Sequence, residues 1–245
     1  LMAGQTVDLQ VPLEGWAPVT AVDHGLEHLC ASPAPPMRRI EELRPVAVTE
    51  PVAGHQVVDL GQNINGWVRL GGLGPAGTEV TLTHGEALDD RGDVTIEHLL
   101  SADYTTGEHL GEIQVDRVVA GSEPDAVFEP RHTSHGFQFV RVEGLDRRLE
   151  ADDLTGVVIH TDLRRTGWFH CSDERINRLH DAVVWSFRDN ACDIPTDCPQ
   201  RERSGWTGDW QLFVPTAAFL YDVAGFTLKW LRDLAAEQRA DGLVL

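Results

Sequence analysis

The pattern of apolar residues changes once along this chain, close to Thr161. In residues 45–158, short β-branched or aromatic runs are separated by Gly, Pro and Asp turns, as in HQVVDLGQNINGWVRLGGL at 55–73. The alternation within these runs is typical of strands that bury one face. From residue 172 onwards, the apolar residues of SDERINRLHDAVVWSFRDN recur at helical spacing instead. A strand-rich half followed by a helix-rich half indicates separate β and α domains.

The strand-rich half is predicted to form an antiparallel β-sandwich over residues 45–160. Residues 1–44 are interpreted as the end of a preceding β domain plus a linker, because the proline-rich segment SPAPPMRRIEELRP runs across their end. Residues 161–245 then form the helical part. The sequence therefore predicts a multidomain β plus α chain with boundaries at residues 44 and 160.

Three helices are predicted in the last part of the chain, at 172–190, 210–221 and 225–242. In the first helix Ser172 is a suitable N-cap, and one face carries the apolar residues Ile176, Leu179, Val183 or Val184, and Phe187. Pro215 either kinks the second helix or marks its start. The three helices are interpreted as the opening of a larger helical domain, whose apolar faces would stay exposed and favour homo-oligomers.

Charge and apolar content argue against two classes of partner. The chain carries 39 Asp and Glu against 20 Lys and Arg, and its formal net charge of −19 at pH 7 repels the phosphate backbone of nucleic acids. No apolar run reaches the length of about 18 residues that a membrane span requires. The N-terminal LMAGQTVDLQ lacks the basic and apolar regions of a signal peptide, which leaves the compartment open and favours the cytoplasm.

No metal or cofactor is predicted. The cysteines form no CxxC pair, and the histidines, His135 and His160 among them, form no HExxH motif. The histidines are therefore interpreted as hydrogen-bonded structural residues. The segment DDRGD at 89–93 offers carboxylates for a calcium ion in an accessory site, but a polar turn is the favoured interpretation.

The segment PTDCPQRERSGWTGDWQ at 195–211 concentrates charge, aromatic surface and rigid backbone between two predicted helices. Its prolines and glycines disfavour a continuous helix, so Asp197, Glu202 and Asp209 are expected on a structured loop. Glycoside hydrolysis needs a carboxylic acid that protonates the leaving oxygen, further carboxylates that stabilise positive charge or hold hydroxyls, and aromatic faces against the sugar ring. A plain salt-bridge network with the two arginines would have the same composition, and the residues alone leave both interpretations open.

The same segment resembles the signature of bacterial α-L-rhamnosidases of the inverting type. That signature is an aspartate, a Cys-Pro-Gln-Arg run, a glutamate and Gly-Trp-x-Gly-Asp, found here as Asp197, Cys198, Pro199, Gln200, Arg201, Glu202, Gly205, Trp206, Gly208 and Asp209. Ser204 stands where the family usually has leucine. DLGQNINGWVRL at 59–70 and HTSHGFQFVRVEG at 132–144 are similar to the β-sandwich that precedes the family's catalytic domain. The resemblance covers most of the chain, roughly from Pro35 to its end.

The resemblance implies a role for each matching residue. Glu202 would be the general acid that protonates the departing glycosidic oxygen, with Asp197 as the second choice. Asp197 and Asp209 would bind rhamnose hydroxyls and surround Glu202 with negative charge. Arg201 would orient a carboxylate or a hydroxyl, and Trp206 would form an apolar wall against the sugar, with a place in the core as an equal alternative. Outside these roles, packing is expected for Trp67, Trp168 and Trp210, and a salt bridge for Arg203.

The resemblance also implies a catalytic (α/α)6 toroid, the six-hairpin glycosidase fold, of which this chain would hold the first helices. The family's general base is a glutamate far downstream. No residue here matches it, and Glu237 and Asp241 are downstream acids outside the motif. The expected function is inverting hydrolysis of terminal non-reducing α-L-rhamnose from rhamnosylated small molecules or polysaccharides, by a protein of which this chain is a fragment or a truncated product. The alternatives are a non-catalytic carbohydrate-binding or scaffolding fragment, and a related hydrolase for another deoxy sugar.

Overall fold

The computed structural model of the chain describes residues 4–12, 14–27, 29–99 and 113–244. The strands in these residues are β1 (Thr6–Asp8), β2 (Met37–Leu43), β3 (Ala47–Val52), β4 (His55–Leu70), β5 (Glu79–Gly85), β6 (Ala87–Leu88), β7 (Val94–Thr95), β8 (Val115–Val119), β9 (His135–Glu143), β10 (Leu154–Thr161), β11 (Ala191–Cys192) and β12 (Ile194–Pro195). The α-helices are α1 (Glu174–Asn190), α2 (Thr207–Leu220) and α3 (Ala224–Glu237). The switch from strands to helices follows β10, which ends at Thr161 as the sequence predicts.

Eight strands form one sheet in the order β1-β8-β5-β9-β4-β10-β2, with β3 paired to β4. Every pair except β1 with β8 is antiparallel. One edge of the long strand β4 pairs with β9 on both sides of a register shift between Asp59 and Ile64. The other edge changes partners, because the first part of β4 pairs with β3 whereas Trp67 lies opposite Val157 of β10. Strand β4 therefore connects β3, β9 and β10 within the sheet.

The core of the β part is built from alternate positions along β4, β5, β8, β9 and β10. Its fully buried side chains include Val58, Ile64, Val68, Leu82, Val118, Phe137 and Val140. These are the β-branched, aliphatic and aromatic residues whose alternation the sequence shows, and the prediction of an antiparallel β domain is confirmed.

The first two strands lie in this same sheet. Val7 of β1 pairs with Val118 of β8, and Glu42 of β2 lies opposite Val157 of β10. These pairings connect the N-terminal segment with the strands that follow it. The division of the chain at residues 44 and 160 stays a prediction.

The three helices lie close to their predicted positions. Asp173, not Ser172, is the N-cap of α1, because its side chain accepts a hydrogen bond from the backbone N–H of Arg175. Pro215 lies inside α2, and α3 ends at Glu237, before the predicted glycine cap. Among the described residues, none of the helices combines the length and the apolar character needed to cross a bilayer.

The helices meet in an aromatic cluster formed by Phe187 of α1, Trp210 of α2, and Phe226 and Trp230 of α3. The rings of Phe187 and Trp210 stack with centroids 6.2 Å apart, and those of Trp210 and Phe226 pack edge to face with centroids 5.5 Å apart. The predicted place of Trp210 in the core is confirmed. The cluster fixes the two helices that flank the charged segment.

Apolar side chains remain exposed on all three helices, among them Leu179, Leu212, Phe219 and Leu231. The predicted exposure of apolar helix faces is thus confirmed. Ile176 and Leu179 on the apolar face of α1 are among the exposed residues, because only the C-terminal part of α1, around Phe187, reaches the aromatic cluster. One detailed expectation is wrong. Trp168, expected to pack, is 72% exposed.

Candidate active site

The charged segment forms a loop between α1 and α2 that is closed at its base by backbone hydrogen bonds. Strands β11 and β12 form a short hairpin directly after α1, with Asp193 in the left-handed region at its turn (φ 64°). Beyond the hairpin, Thr196 forms an isolated bridge with Gly205, and the Asp197 N–H donates to the Ser204 carbonyl at 3.0 Å. The loop 196–205, called the acid loop from here on, is therefore anchored at both ends, as the sequence predicts.

Asp197 is held by its own loop. Its Oδ1 accepts a hydrogen bond from the Ser204 backbone N–H at 3.0 Å, and its Oδ2 accepts one from the Cys198 thiol at 3.1 Å. Burial raises the pKa of the Cys198 thiol, which keeps this donor protonated. Each carboxylate oxygen retains a further lone pair, so the side chain is oriented and still able to accept a hydroxyl hydrogen.

Asp197 and Asp209 line the same cavity, which has a volume of about 400 Å³. Asp197 comes from the acid loop, and Asp209 lies exposed in the first turn of α2. The other lining residues are polar and apolar residues of the helices together with two residues from the end of β12 and the start of the acid loop, namely Ser186, Phe187, Asn190, Pro195, Thr196, Trp210, Leu212 and Phe213. The cavity thus combines hydroxyl-binding groups with apolar surface, which is the composition that a sugar requires.

Glu202 lies on a second, adjacent cavity of about 580 Å³ between the acid loop and the β part. Asn65 and Trp67 of β4 and His132, three residues before β9, line it as well. Thr196 lines both cavities. The structure thus brings Asp197 and Asp209 together and places Glu202 on the neighbouring cavity, so the three carboxylates do not share one cavity.

Arg201 contacts the carboxylate of Glu202, with its Nη2 donating to Oε1 at 2.7 Å. The Glu202 backbone N–H lies 3.4 Å from the sulfur of Cys198. These contacts set the direction of the Glu202 side chain from within the acid loop. The carboxylate partner of Arg201, left open by the sequence, is Glu202.

Trp206 and Arg203 differ in their surroundings. Trp206 precedes α2 as its N-cap residue and is 49% exposed, so the structure places it on the surface and not in the core. Arg203 is half-buried and adopts a left-handed backbone (φ 54°), and its Nε donates to the Pro199 carbonyl at 2.9 Å. The ring of Trp206 is therefore accessible to a sugar, whereas Arg203 stabilises the acid loop through its hydrogen bond to Pro199.

A buried group of His84, Asp116 and His135 has the composition of a metal site, with ligand atoms within 4.8 Å of one another. Its geometry is that of a hydrogen-bonded network. Nε2 of His135 lies 3.0 Å from Asp116 Oδ2, while Nδ1 of His135 and of His84 face the side-chain and main-chain oxygens of Gln114. The two imidazole rings stack with centroids 4.1 Å apart, so their nitrogen lone pairs run side by side instead of converging. Burial lowers the pKa of His84 to about 3, which keeps this ring neutral.

The segment at 89–93 folds as the polar turn that the sequence predicts. Asp89 Oδ1 accepts hydrogen bonds from the backbone N–H groups of Arg91 and Asp93. Asp93 Oδ2 contacts Nδ1 of His55 at 2.7 Å. Both carboxylates therefore have protein partners.

Asp189 joins the helical part to the β part in a way that the sequence analysis missed. Its Oδ1 accepts a hydrogen bond from the backbone N–H of Asn65 in β4 at 2.9 Å, across a separation of 124 residues. The side-chain amide nitrogen of Asn65, Nδ2, donates to the Ile159 carbonyl oxygen and to the Cys192 sulfur, each at 3.0 Å. Burial raises the pKa of Asp189 to about 7, and the negative charge of Glu86 adds to this shift.

Asp189→Asn is expected to flatten the pH dependence of stability. The pKa of Asp189 rises from 3.8 to about 7 on folding, so the folded state holds the proton more tightly. The free energy of unfolding therefore falls as pH rises from about 4 to about 7, by at most about 4 kcal/mol, and stays reduced above that range. The amide keeps an oxygen for the Asn65 N–H and has no proton to lose.

Urea unfolding at about pH 5 and about pH 8 measures this difference in the unchanged chain and in the variant. Asp181→Asn, on the exposed side of the same helix, is the matched control and should keep the fall in stability. An equal fall in all three proteins would contradict the assignment to Asp189.

Comparison with known proteins finds one family across most of the chain. Residues 50–160 match the bacterial alpha-L-rhamnosidase concanavalin-like domain, and residues 164–245 match the bacterial alpha-L-rhamnosidase 6 hairpin glycosidase domain. The two matches adjoin where the chain leaves β10. The predicted architecture, a sandwich followed by the start of a six-hairpin glycosidase domain, is confirmed.

Relatives and solved structures agree with these matches. An alpha-L-rhamnosidase of Streptomyces avermitilis is 37% identical over 254 residues, which cover 99% of this chain and 24% of the relative. The crystal structure of Streptomyces avermitilis alpha-L-rhamnosidase complexed with L-rhamnose is 38% identical, with a TM-score of 0.80 over 87% of this chain and 20% of that one. The native enzyme structure from Aspergillus terreus is 36% identical, with a TM-score of 0.82 over 95% of this chain and 27% of that one. The chain thus spans about a quarter of the length of the curated relatives it matches.

Proposed function

Because the chain belongs to the bacterial α-L-rhamnosidase family, we propose that the complete protein releases terminal non-reducing α-L-rhamnose from rhamnosylated small molecules or polysaccharides. The observation that carries this proposal is the acid loop itself, which holds Asp197 and Glu202 on the walls of two adjacent cavities. The loop lies within the region that matches the family's glycosidase domain. The rhamnose complex of the Streptomyces avermitilis relative supports the sugar assigned here.

Glu202 acts as the general acid in this proposal. It gives its proton to the glycosidic oxygen as the bond from C1 of rhamnose to that oxygen breaks, and the bonding electron pair leaves with the oxygen. Arg201 holds the carboxyl group in place through the 2.7 Å contact to Oε1. The cavity between the acid loop and the β part provides about 580 Å³ of space beside Glu202 for the leaving group.

Asp197, Asp209 and Trp206 bind the sugar. The two carboxylates share a cavity and accept hydrogen bonds from rhamnose hydroxyls, and their charge stabilises the positive charge that develops on the ring. Trp206 offers an exposed ring to the apolar face and the methyl group of rhamnose. Arg201 serves the acid, so the sugar contacts come from Asp197, which precedes it in the loop, and from Trp206 and Asp209 at the start of α2.

The attacking water approaches C1 from the face opposite the leaving oxygen, so the configuration at C1 inverts. The proposal assigns no residue of this chain to the base that takes the proton from this water. The two carboxyl groups of an inverting glycosidase lie about 6.5–9.5 Å apart, on opposite sides of the sugar. A carboxylate elsewhere in the complete protein can therefore act as the base opposite Glu202.

Proton NMR of the released sugar tests this function in the complete protein. With an aryl α-L-rhamnoside, we expect the β-anomer of L-rhamnose to appear first and to equilibrate later with the α-anomer. An aryl β-D-glucoside serves as the control substrate and should remain intact. Binding of L-rhamnose without any release of sugar would favour the non-catalytic alternative, and an initial α-anomer would overturn the inverting mechanism.

A further inference from the structure

A carboxylate of the β part binds a residue of the acid loop. Glu86 lies between β5 and β6, and its Oε2 accepts a hydrogen bond from the side-chain amide of Gln200 at 2.9 Å. Its Oε1 accepts a second hydrogen bond from the amide of Asn63 in β4 at 2.8 Å. Glu86 is thus fixed to the sheet on one side and to the loop on the other. Gln200 precedes Glu202 by two residues.

The acid loop also lies directly on the backbone of β9. A Cβ atom added to Gly136 would stand 2.6 Å from Cγ of Pro199 and 3.0 Å from the backbone nitrogen of Gln200. Glycine is therefore required at this position for the loop to approach the sheet so closely. The contact places Pro199 and Gln200 against the sheet on the same side as Glu86.

Arg203 of the acid loop also faces the β part, since it lines the second cavity together with Asn65 and Trp67 of β4. Burial lowers the pKa of the half-buried Arg203, and the negative charge of Asp116 in β8 partly offsets this shift. Asp116 is itself held by His135 and by the backbone N–H of Gln5. Glu202 therefore stands between two loop residues, Gln200 and Arg203, that face groups of the sheet.

We propose that Glu86 is a positioning residue, which holds the acid loop on the β part through Gln200 and thereby sets the place of Glu202. The consequence for Glu202 rests on the proposed function, whereas the hold on the loop does not. On this view the β part contributes to catalysis without contacting the sugar, because it supplies a rigid surface for the loop that carries the acid.

Hydrogen exchange of this chain, followed by mass spectrometry, tests the hold on the loop. In Glu86→Ala we expect exchange in peptides covering 196–206 to be about 10-fold faster, because a hydrogen bond to a charged group is lost, while exchange in β9 stays unchanged. Glu86→Gln keeps one carbonyl oxygen for two donors and should give an intermediate rate. Glu42→Ala is the matched control, because Glu42 accepts two hydrogen bonds from Arg69 within the β part and contacts no loop residue.

A double-variant comparison ties the effect to one contact. Gln200→Ala should speed exchange of the loop as much as Glu86→Ala does, and the combined variant should be no faster than either. Additive effects of the two substitutions would overturn the proposed link, as would a loop whose exchange is unchanged in Glu86→Ala.

Steady-state kinetics of the complete protein test the consequence for Glu202. We expect Glu86→Ala to lower kcat about 10-fold while KM stays within about 2-fold. Asp209 lies on α2, and Asp197 is held at the base of the loop by its hydrogen bonds with Ser204, so the substitution acts mainly on Glu202. A loosened loop with unchanged kcat would overturn the positioning role. If the unchanged protein released no rhamnose, the proposed function would fail, and the exchange experiment would still decide whether Glu86 holds the loop.

Discussion

Glu202→Gln is expected to lower kcat/KM of the complete protein for unactivated α-L-rhamnosides by about 100-fold or more, the usual contribution of general acid catalysis. The amide has the size of the carboxyl group and fits beside Arg201, so the loop and the sugar contacts persist. It has no proton to give to the glycosidic oxygen. The loss should therefore appear in kcat, with KM for the rhamnoside little changed, in steady-state assays with an alkyl or flavonoid rhamnoside.

Glu237→Gln is the matched control for this variant. Glu237 is the last residue of α3, and it lies outside both cavities of the acid loop. The same isosteric change there should leave kcat and KM as they are. If the Glu202→Gln protein were as active as the control, Glu202 would not be the general acid.

Gly205→Ala is expected to lower the free energy of unfolding by about 3 kcal/mol, the upper range for an overpacked core position. An added Cβ would stand 2.8 Å from Cζ2 and Cζ3 of the Trp230 indole and still closer to Cη2. Trp230 is buried in the aromatic cluster and has no room to move aside. Gly205 closes the acid loop through its bridge to Thr196. The steric strain from the added methyl group should therefore distort the loop as well.

Gly208→Ala tests the same substitution three residues further along the motif. No neighbouring heavy atom outside its own helix and chain neighbours lies within 4 Å of an added Cβ, and Gly208 sits in the first turn of α2. There the change should stabilise slightly, by about 0.5–1 kcal/mol, since alanine favours a helix over glycine. Urea midpoints of the two variants should move in opposite directions, and equal midpoints would contradict the packing described for Gly205.

Local patterns made the halves of the fold predictable. The alternation in β4 and the helical spacing in α1 follow from the geometry of a single element, so residues close in sequence carry the signal. The acid loop was predictable for the same reason, because its prolines and glycines interrupt both periods within a few residues. The roles of Asp197, Glu202 and Asp209 came from the resemblance and stay predictions.

Contacts between distant residues left no such signal. The bond from Asn65 to Asp189 spans 124 residues, and the bond from Gln200 to Glu86 spans 114. A glutamate at the end of a strand or an aspartate near the end of a helix has the appearance of an ordinary surface residue in the sequence. The burial that raises the pKa of Asp189 exists only after the two parts have packed together.

Periodicity and residue type do not show what covers a side chain. Helical spacing identified an apolar face on α1, and Ile176 and Leu179 on that face are exposed. Trp168 was expected to pack because large aromatic side chains usually do, yet it lies on the surface. Residue type also left Trp206 undecided between the core and a sugar contact, and the structure places its ring at the surface.

The central claim, that Glu202 is the acid, is tested most directly by the dependence of the Glu202→Gln defect on the leaving group. Rates of the complete protein and its Glu202→Gln and Asp197→Asn variants are compared across aryl and alkyl α-L-rhamnosides whose leaving alcohols differ in pKa. We expect the Glu202→Gln loss to be small for the most acidic phenol, which departs without a proton, and to grow steadily towards alkyl leaving groups. Asp197→Asn should lose activity evenly across the series, because its role is to bind the sugar. An even loss for Glu202→Gln together with a graded loss for Asp197→Asn would contradict this account and make Asp197 the acid.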